Sequence, residues 1–207
     1  MKLARLVRLS TWLAAVLAVA CGGEAKNPGA PGEPTLRITL AHGTAVEQNA
    51  EQALELLVAS SDLSKYLFTL EVVIDEDAVS RGYPTLIINP RYGHSPDNLL
   101  SRFIHEQIHF HTETEHDSQR DAAVARLKLM YPDAPVGRPE GADTLFSTYG
   151  HLMVCYLEIH ADRRLIGSDR TAAVIAAKEA YTWVYATVLR DEEKIAAVVD
   201  EFGLRIE

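Results

Sequence analysis

The sequence predicts an α+β fold: a small N-terminal mixed sheet with one helix, followed by a mainly helical half. Three observations carry this expectation. Strand-like patterns at 35–40, 68–74 and 85–88 all fall before residue 90, with one helical-period stretch among them. After residue 95, apolar residues recur at helical spacing almost to the end of the chain. The 207 residues are 47% hydrophobic and 24% charged, which suits one folded domain and not a disordered chain.

The first segment reads as an export signal. Lys2, Arg5 and Arg8 precede a run, 9–20, that is apolar apart from Ser10 and Thr11. The run is too short to span a bilayer, but it fits a cleaved signal peptide over 1–20. Small residues then lead into Cys21, and the stretch resembles a bacterial lipoprotein signal, which implies lipid modification of Cys21. Residues 22–34 hold four glycines and three prolines and nothing that could pack, as a tether at 21–34 requires. Residue 22 is not Asp, which implies the outer membrane, with the domain facing the periplasm. A single domain is then expected over 35–207. Beyond the signal, 17 basic residues face 29 acidic ones, a poor match for nucleic acid. With only Cys21 and Cys155 there is no disulfide framework, and Cys155 reads as a small core residue.

The elements follow in order. Residues 35–40 alternate as a strand does, and Val46, Ala50, Ala53, Leu54, Leu57 and Val58 mark an amphipathic helix over 45–59. Strand 68–74 closes at Asp75-Glu76-Asp77. Strand 85–88 lies between Pro84 and Pro90, which suits a sheet edge. Ser95-Pro96-Asp97 supplies a capping hydroxyl, a proline at the first helical position and an acid in the first turn, so a helix should run from 96 to about 112. A second covers 118–131. The stretch 132–146, with three prolines and two glycines, is a surface loop. Ser147 or Thr148 should cap a helix ending at Gly167, Ser168 one over 169–190, and Asp191 a last one ending at Gly203.

The chemistry concentrates on two of these helices. His105-Glu106-Gln107-Ile108-His109 is an H-E-x-x-H string. Imidazoles four residues apart stack on one helix face and can grip one Zn²⁺, while the intervening Glu leans towards a metal-activated water and can take its proton. A third ligand is needed. The continuation H-x-x-G-x-x-H is absent, since residue 112 is Thr and residue 115 is Glu. On the later helix, His151, Cys155, Glu158 and Asp162 form one stripe on a largely apolar background. Carboxylates and imidazoles so placed call for a partner or a metal. His151 could also donate to the oxyanion of a tetrahedral intermediate.

H-E-x-x-H followed on a later helix by E-x-x-x-D resembles the zincin metallopeptidases of the gluzincin type. The layout is also similar to an uncharacterised bacterial lipoprotein family with a His-Glu-Gln-x-His motif and a later Tyr-Leu-Glu. The first resemblance implies a zincin-like fold with zinc held by His105, His109 and Glu158. It implies Glu106 as general base and Asp162 as the carboxylate that orients a ligand imidazole. It further implies that Leu86, Ile87 and Ile88 form the edge strand on which an extended peptide or protein substrate pairs. Of the other polar residues, His111 is expected at the surface or cleft rim and His160 in a structural role; one of Tyr181 and Tyr185 could point a hydroxyl into the cleft, with aromatic core as the default for both. The competing readings are a non-catalytic metal-binding lipoprotein and a zinc hydrolase acting on something other than a peptide.

Overall fold

In the computed structural model, residues 35–92 and 95–206 are described. The signal segment, Cys21 and the tether lie outside them. The chain from residue 35 forms a three-stranded sheet and seven helices among the described residues. Strands β1 (Arg37–Leu40), β2 (Glu71–Ile74) and β3 (Leu86–Ile88) lie in that order, and both pairs are parallel. The expected mixed sheet is therefore a parallel one. Helix α1 (Ala45–Ser60) makes the crossover from β1 to β2, as parallel pairing requires.

Two local devices fix this half. Thr44 caps α1, and the fully buried Glu47 accepts hydrogen bonds from the backbone N–H of His42, Gly43 and Glu76 and pairs with the His42 ring. Burial pushes the Glu47 carboxyl up, but these donors outweigh it and bring it down to about 2. Of residues 68–70, read from the sequence as part of a strand, the Leu70 carbonyl accepts from the Arg37 N–H of β1, and Phe68 and Thr69 lie outside the ladder. The Gln107 side chain bonds them instead, accepting from the N–H of Phe68 and Thr69 and donating to the Thr69 carbonyl.

Helix α2 (Pro96–Thr114) starts as its sequence signals say, with the Ser95 hydroxyl accepting from the Asn98 N–H. Its Leu100, Phe103, Ile104 and Ile108 sit in the core with the sheet residues Ile74, Leu86 and Ile88. Helix α3 (Asp117–Met130) follows. Helix α4 (Leu145–Ile166) is buried on nearly every face and forms the centre of the helical half. It begins earlier than expected because Thr144 is its cap, while the Thr148 hydroxyl ties down the preceding loop through Pro135 and Ala142.

The expected helix over 169–190 is two helices, α5 (Ser168–Ala176) and α6 (Thr182–Arg190). Nothing in the composition of 177–181 marks the break, which contains neither glycine nor proline. Tertiary hydrogen bonds produce it. The N–H groups of Thr182 and Trp183 are accepted by the carbonyls of Pro139 and Glu140, so the 132–144 loop caps α6. Tyr181 adopts the left-handed conformation with φ 60°, at a cost of about 1–2 kcal/mol for a residue with a side chain. Helix α7 (Glu192–Glu201) packs Ile195, Val198 and Val199 into the core.

Candidate metal centre

Helices α2 and α4 bring three imidazoles together. Ligand atoms of His105, His109 and His151 all lie within 4.8 Å of one another, and His109 Nε2 stands 3.3 Å from His151 Nε2. The opposite nitrogen of each ring meets an oxygen. His105 Nδ1 donates to Glu158 Oε2 at 2.8 Å, and His151 Nδ1 donates to the Ser147 carbonyl at 2.7 Å. His109 Nδ1 is 3.5 Å from Glu113 Oε1. An imidazole that donates from Nδ1 carries its lone pair on Nε2. Burial, followed by the neighbouring His109 and His105, holds His151 well below the usual histidine range, so its ring is neutral. Three imidazoles with ring nitrogens this close form a donor set that suits zinc.

Glu158 lies outside this group of three imidazoles, whereas the expected ligand group was His105, His109 and Glu158. Its carboxylate is fully engaged. Oε1 accepts from the Ser101 hydroxyl at 2.6 Å and the Lys178 ammonium at 2.8 Å, while Oε2 accepts from His105 and from the Tyr185 hydroxyl at 2.7 Å. A carboxylate has about four lone-pair sites, and here all four are used. Burial pushes Glu158 up, but the Lys178 charge and His105 override it and keep it ionised. Glu158 therefore makes the contact expected of Asp162, holding the ring of His105.

Asp162, one turn further along α4, makes no hydrogen bond to an imidazole among the described residues. It is buried, and burial, followed by the adjacent Glu158 charge, pushes it up to about 8 against the opposing Ser101 and Lys178. Cys155 is fully buried and its thiol is pushed well up by burial, in keeping with a core residue.

Glu106 lies 5% exposed in a cleft of about 1040 Å³ that it lines with the three histidines. Burial raises its carboxyl, partly offset by His105 and His109. On one side of this cleft runs the segment 76–83, which also corrects the assignment of Leu86, Ile87 and Ile88 as the substrate's edge. The outer edge of β3 is already paired: Arg81 N–H donates to the Ile87 carbonyl and Ile87 N–H to the Arg81 carbonyl, in an antiparallel bridge. Ser80, Arg81 and Gly82 therefore stand between β3 and the cleft. Gly82 is required there, because a Cβ would sit 2.3 Å from the Glu106 carbonyl oxygen and 2.5 Å from His109 Cβ.

The break between α5 and α6 supplies Lys178, which sequence reasoning missed, and lies beside the two tyrosines. Lys178 reaches Glu158 from it, and Tyr185 follows in the first turns of α6. The ring of Tyr181 lies 4.1 Å from that of His151 and stacks 6.3 Å from that of His105, with the Arg138 guanidinium 5.6 Å from its centroid. Tyr181 and Tyr185 are thus parts of the site as well as aromatic packing. His160 pairs with Glu192 and does not line the cleft.

Comparison with protein-family models, curated proteins and solved structures yields no match.

Proposed function

We propose that the chain is a zinc-dependent metallopeptidase in which His105, His109 and His151 hold the metal and Glu106 is the general base. One observation carries the reading: three imidazoles, two of them locked by Nδ1 hydrogen bonds, turn ligand nitrogens to one point beside a buried carboxylate. Imidazole nitrogens gathered in this way beside a carboxylate are an arrangement that a divalent cation can bind. Bound zinc supplies Lewis acidity, lowering the pKa of a water and polarising a carbonyl. Glu106 accepts the proton of the attacking water and passes it to the departing nitrogen. Its neighbours in sequence, as ligands, hold its carboxylate at the reacting centre without making it one of them. The Glu158 carboxylate keeps the His105 ring in the required tautomer, and Lys178, Ser101 and Tyr185 keep that carboxylate charged and in place.

The substrate of this reading is an extended peptide or protein segment lying along Ser80–Gly82, the part of the sheet edge that lines the cleft. The purified protein should cleave members of a mixed pool of unstructured peptides, lose this on treatment with a chelator and regain it with zinc. Failure to cleave any peptide while zinc is bound would favour a non-catalytic metal-binding protein.

The N-terminal segment supports a place in the bacterial cell envelope, with a lipid anchor at Cys21 and the domain facing the periplasm. The mass of the mature N-terminal peptide should correspond to an acylated Cys21. An unmodified residue 21 or retained residues 1–20 would defeat that assignment.

A further inference from the structure

The corner where α2 meets α3 carries a second cluster of ligand-type side chains, His111, Glu115 and His116. One ligand atom from each lies within 4.8 Å of the other two, and none of the three lines the cleft. His111 and Glu115 are one turn apart on α2, with His111 Nδ1 3.1 Å from Glu115 Oε2. The rings of His111 and His116 meet edge-on, centroids 4.5 Å apart at 73°, and the Phe68 ring stacks on His111 at 4.0 Å, which fixes its orientation.

His116 is the anomaly in this group. It stands at the N-cap of α3, yet its side chain makes no capping hydrogen bond. Its Nδ1 is shut off from solvent and has no hydrogen-bond partner among the described residues. Buried polar atoms are nearly always paired, so a ring nitrogen left this way beside another imidazole and a carboxylate points to a missing partner.

We propose that His111, Glu115 and His116 bind a second divalent metal ion, of the zinc type, at the α2–α3 corner. Two imidazoles and one carboxylate are a borderline donor set that suits zinc, and ligand atoms within 4.8 Å need little closure to reach bonds of about 2.0–2.2 Å. Glu115 is largely exposed, so the site opens to solvent and leaves room for a water as a further ligand. An ion here ties the last turn of α2, the helix of His105 and His109, to the start of α3. This inference does not depend on the peptidase reading.

Zinc binding to the metal-stripped full chain, counted by calorimetry and by metal analysis after dialysis, tests it. The wild type should take up two equivalents. His116→Gln and Glu115→Gln should each take up one, and the double variant His105→Ala/His109→Ala should also keep one. Glu115 is exposed, so its variant reports on binding without risk to the core. If the cleft binds no zinc, the wild type should bind one equivalent that survives the double variant and disappears in Glu115→Gln and His116→Gln. A wild-type uptake that is zero, or that vanishes entirely in the double variant, would overturn the second site. So would a second equivalent that survives both Glu115→Gln and His116→Gln.

Discussion

Glu106→Gln should lower peptide hydrolysis by about 10²–10⁴-fold while zinc content and thermal unfolding stay near those of the wild type. Glutamine keeps the size and hydrogen-bonding reach of the side chain and removes only its basicity. The residue lines the cleft, while Ile104 and Ile108, on the other side of α2, pack in the core. Loss of the carboxylate therefore does not open a cavity, and replacing a buried, raised carboxyl by an amide removes a charge that burial already disfavours. His105→Ala behaves differently, losing metal and activity together. Steady-state cleavage of one peptide from the pool, paired with metal analysis of each variant, separates the two effects. A Glu106→Gln protein as active as the wild type would exclude Glu106 as the base.

His151→Ala should abolish stoichiometric zinc binding in the cleft, whereas Glu158→Gln should retain it with affinity about 10–100-fold weaker. The difference follows from what each side chain touches. His151 offers Nε2 to the same point as His109, while all four acceptor positions of Glu158 are spent on Ser101, Lys178, Tyr185 and His105. Glu158→Gln also leaves Lys178 without its counter-charge, a loss of about 3–5 kcal/mol for a buried pair. Tyr185→Phe is the milder companion. It removes one hydrogen bond from Glu158, keeps the charge pair, and should weaken zinc binding in the same direction by a smaller factor. Binding measured by competition with a chromophoric chelator distinguishes the assignments. Were Glu158 the ligand, its variant would lose zinc as His109→Ala does, and His151→Ala would keep it.

Much of the architecture was legible in local chemistry. Ser95-Pro96-Asp97 caps α2 because a hydroxyl, a proline and an acid at those positions act within one helical turn, whatever the rest of the chain does. The placement of His105, Glu106 and His109 on one face needs only the helical repeat. The stripe of His151, Cys155, Glu158 and Asp162 on α4 was likewise visible as an anomaly on an apolar helix, and it does face α2. Which member of the stripe does what was not visible. His151 and Glu158 are two turns apart on that face, and either could meet the His105–His109 pair depending on how α4 lies against α2.

The sequence by itself determined the α+β order, the capped helix with its two histidines and glutamate, and the second helix that answers them. Those features rest on short-range periodicity, capping and turn chemistry. Only the tertiary structure decided that His151 joins the imidazoles while Glu158 stands behind His105, since that choice depends on the donors that reach Glu158 from elsewhere. Lys178 and Tyr185 come from either side of a helix break that has no local signal, because the carbonyls of Pro139 and Glu140 cap α6 across the fold. The sheet edge was decided the same way. The 76–83 segment returns to pair Arg81 with Ile87, so the strand that looked exposed in the sequence is covered by its own neighbour. Hydrogen-bond partners far apart in the chain are fixed by packing, and no window of sequence contains them.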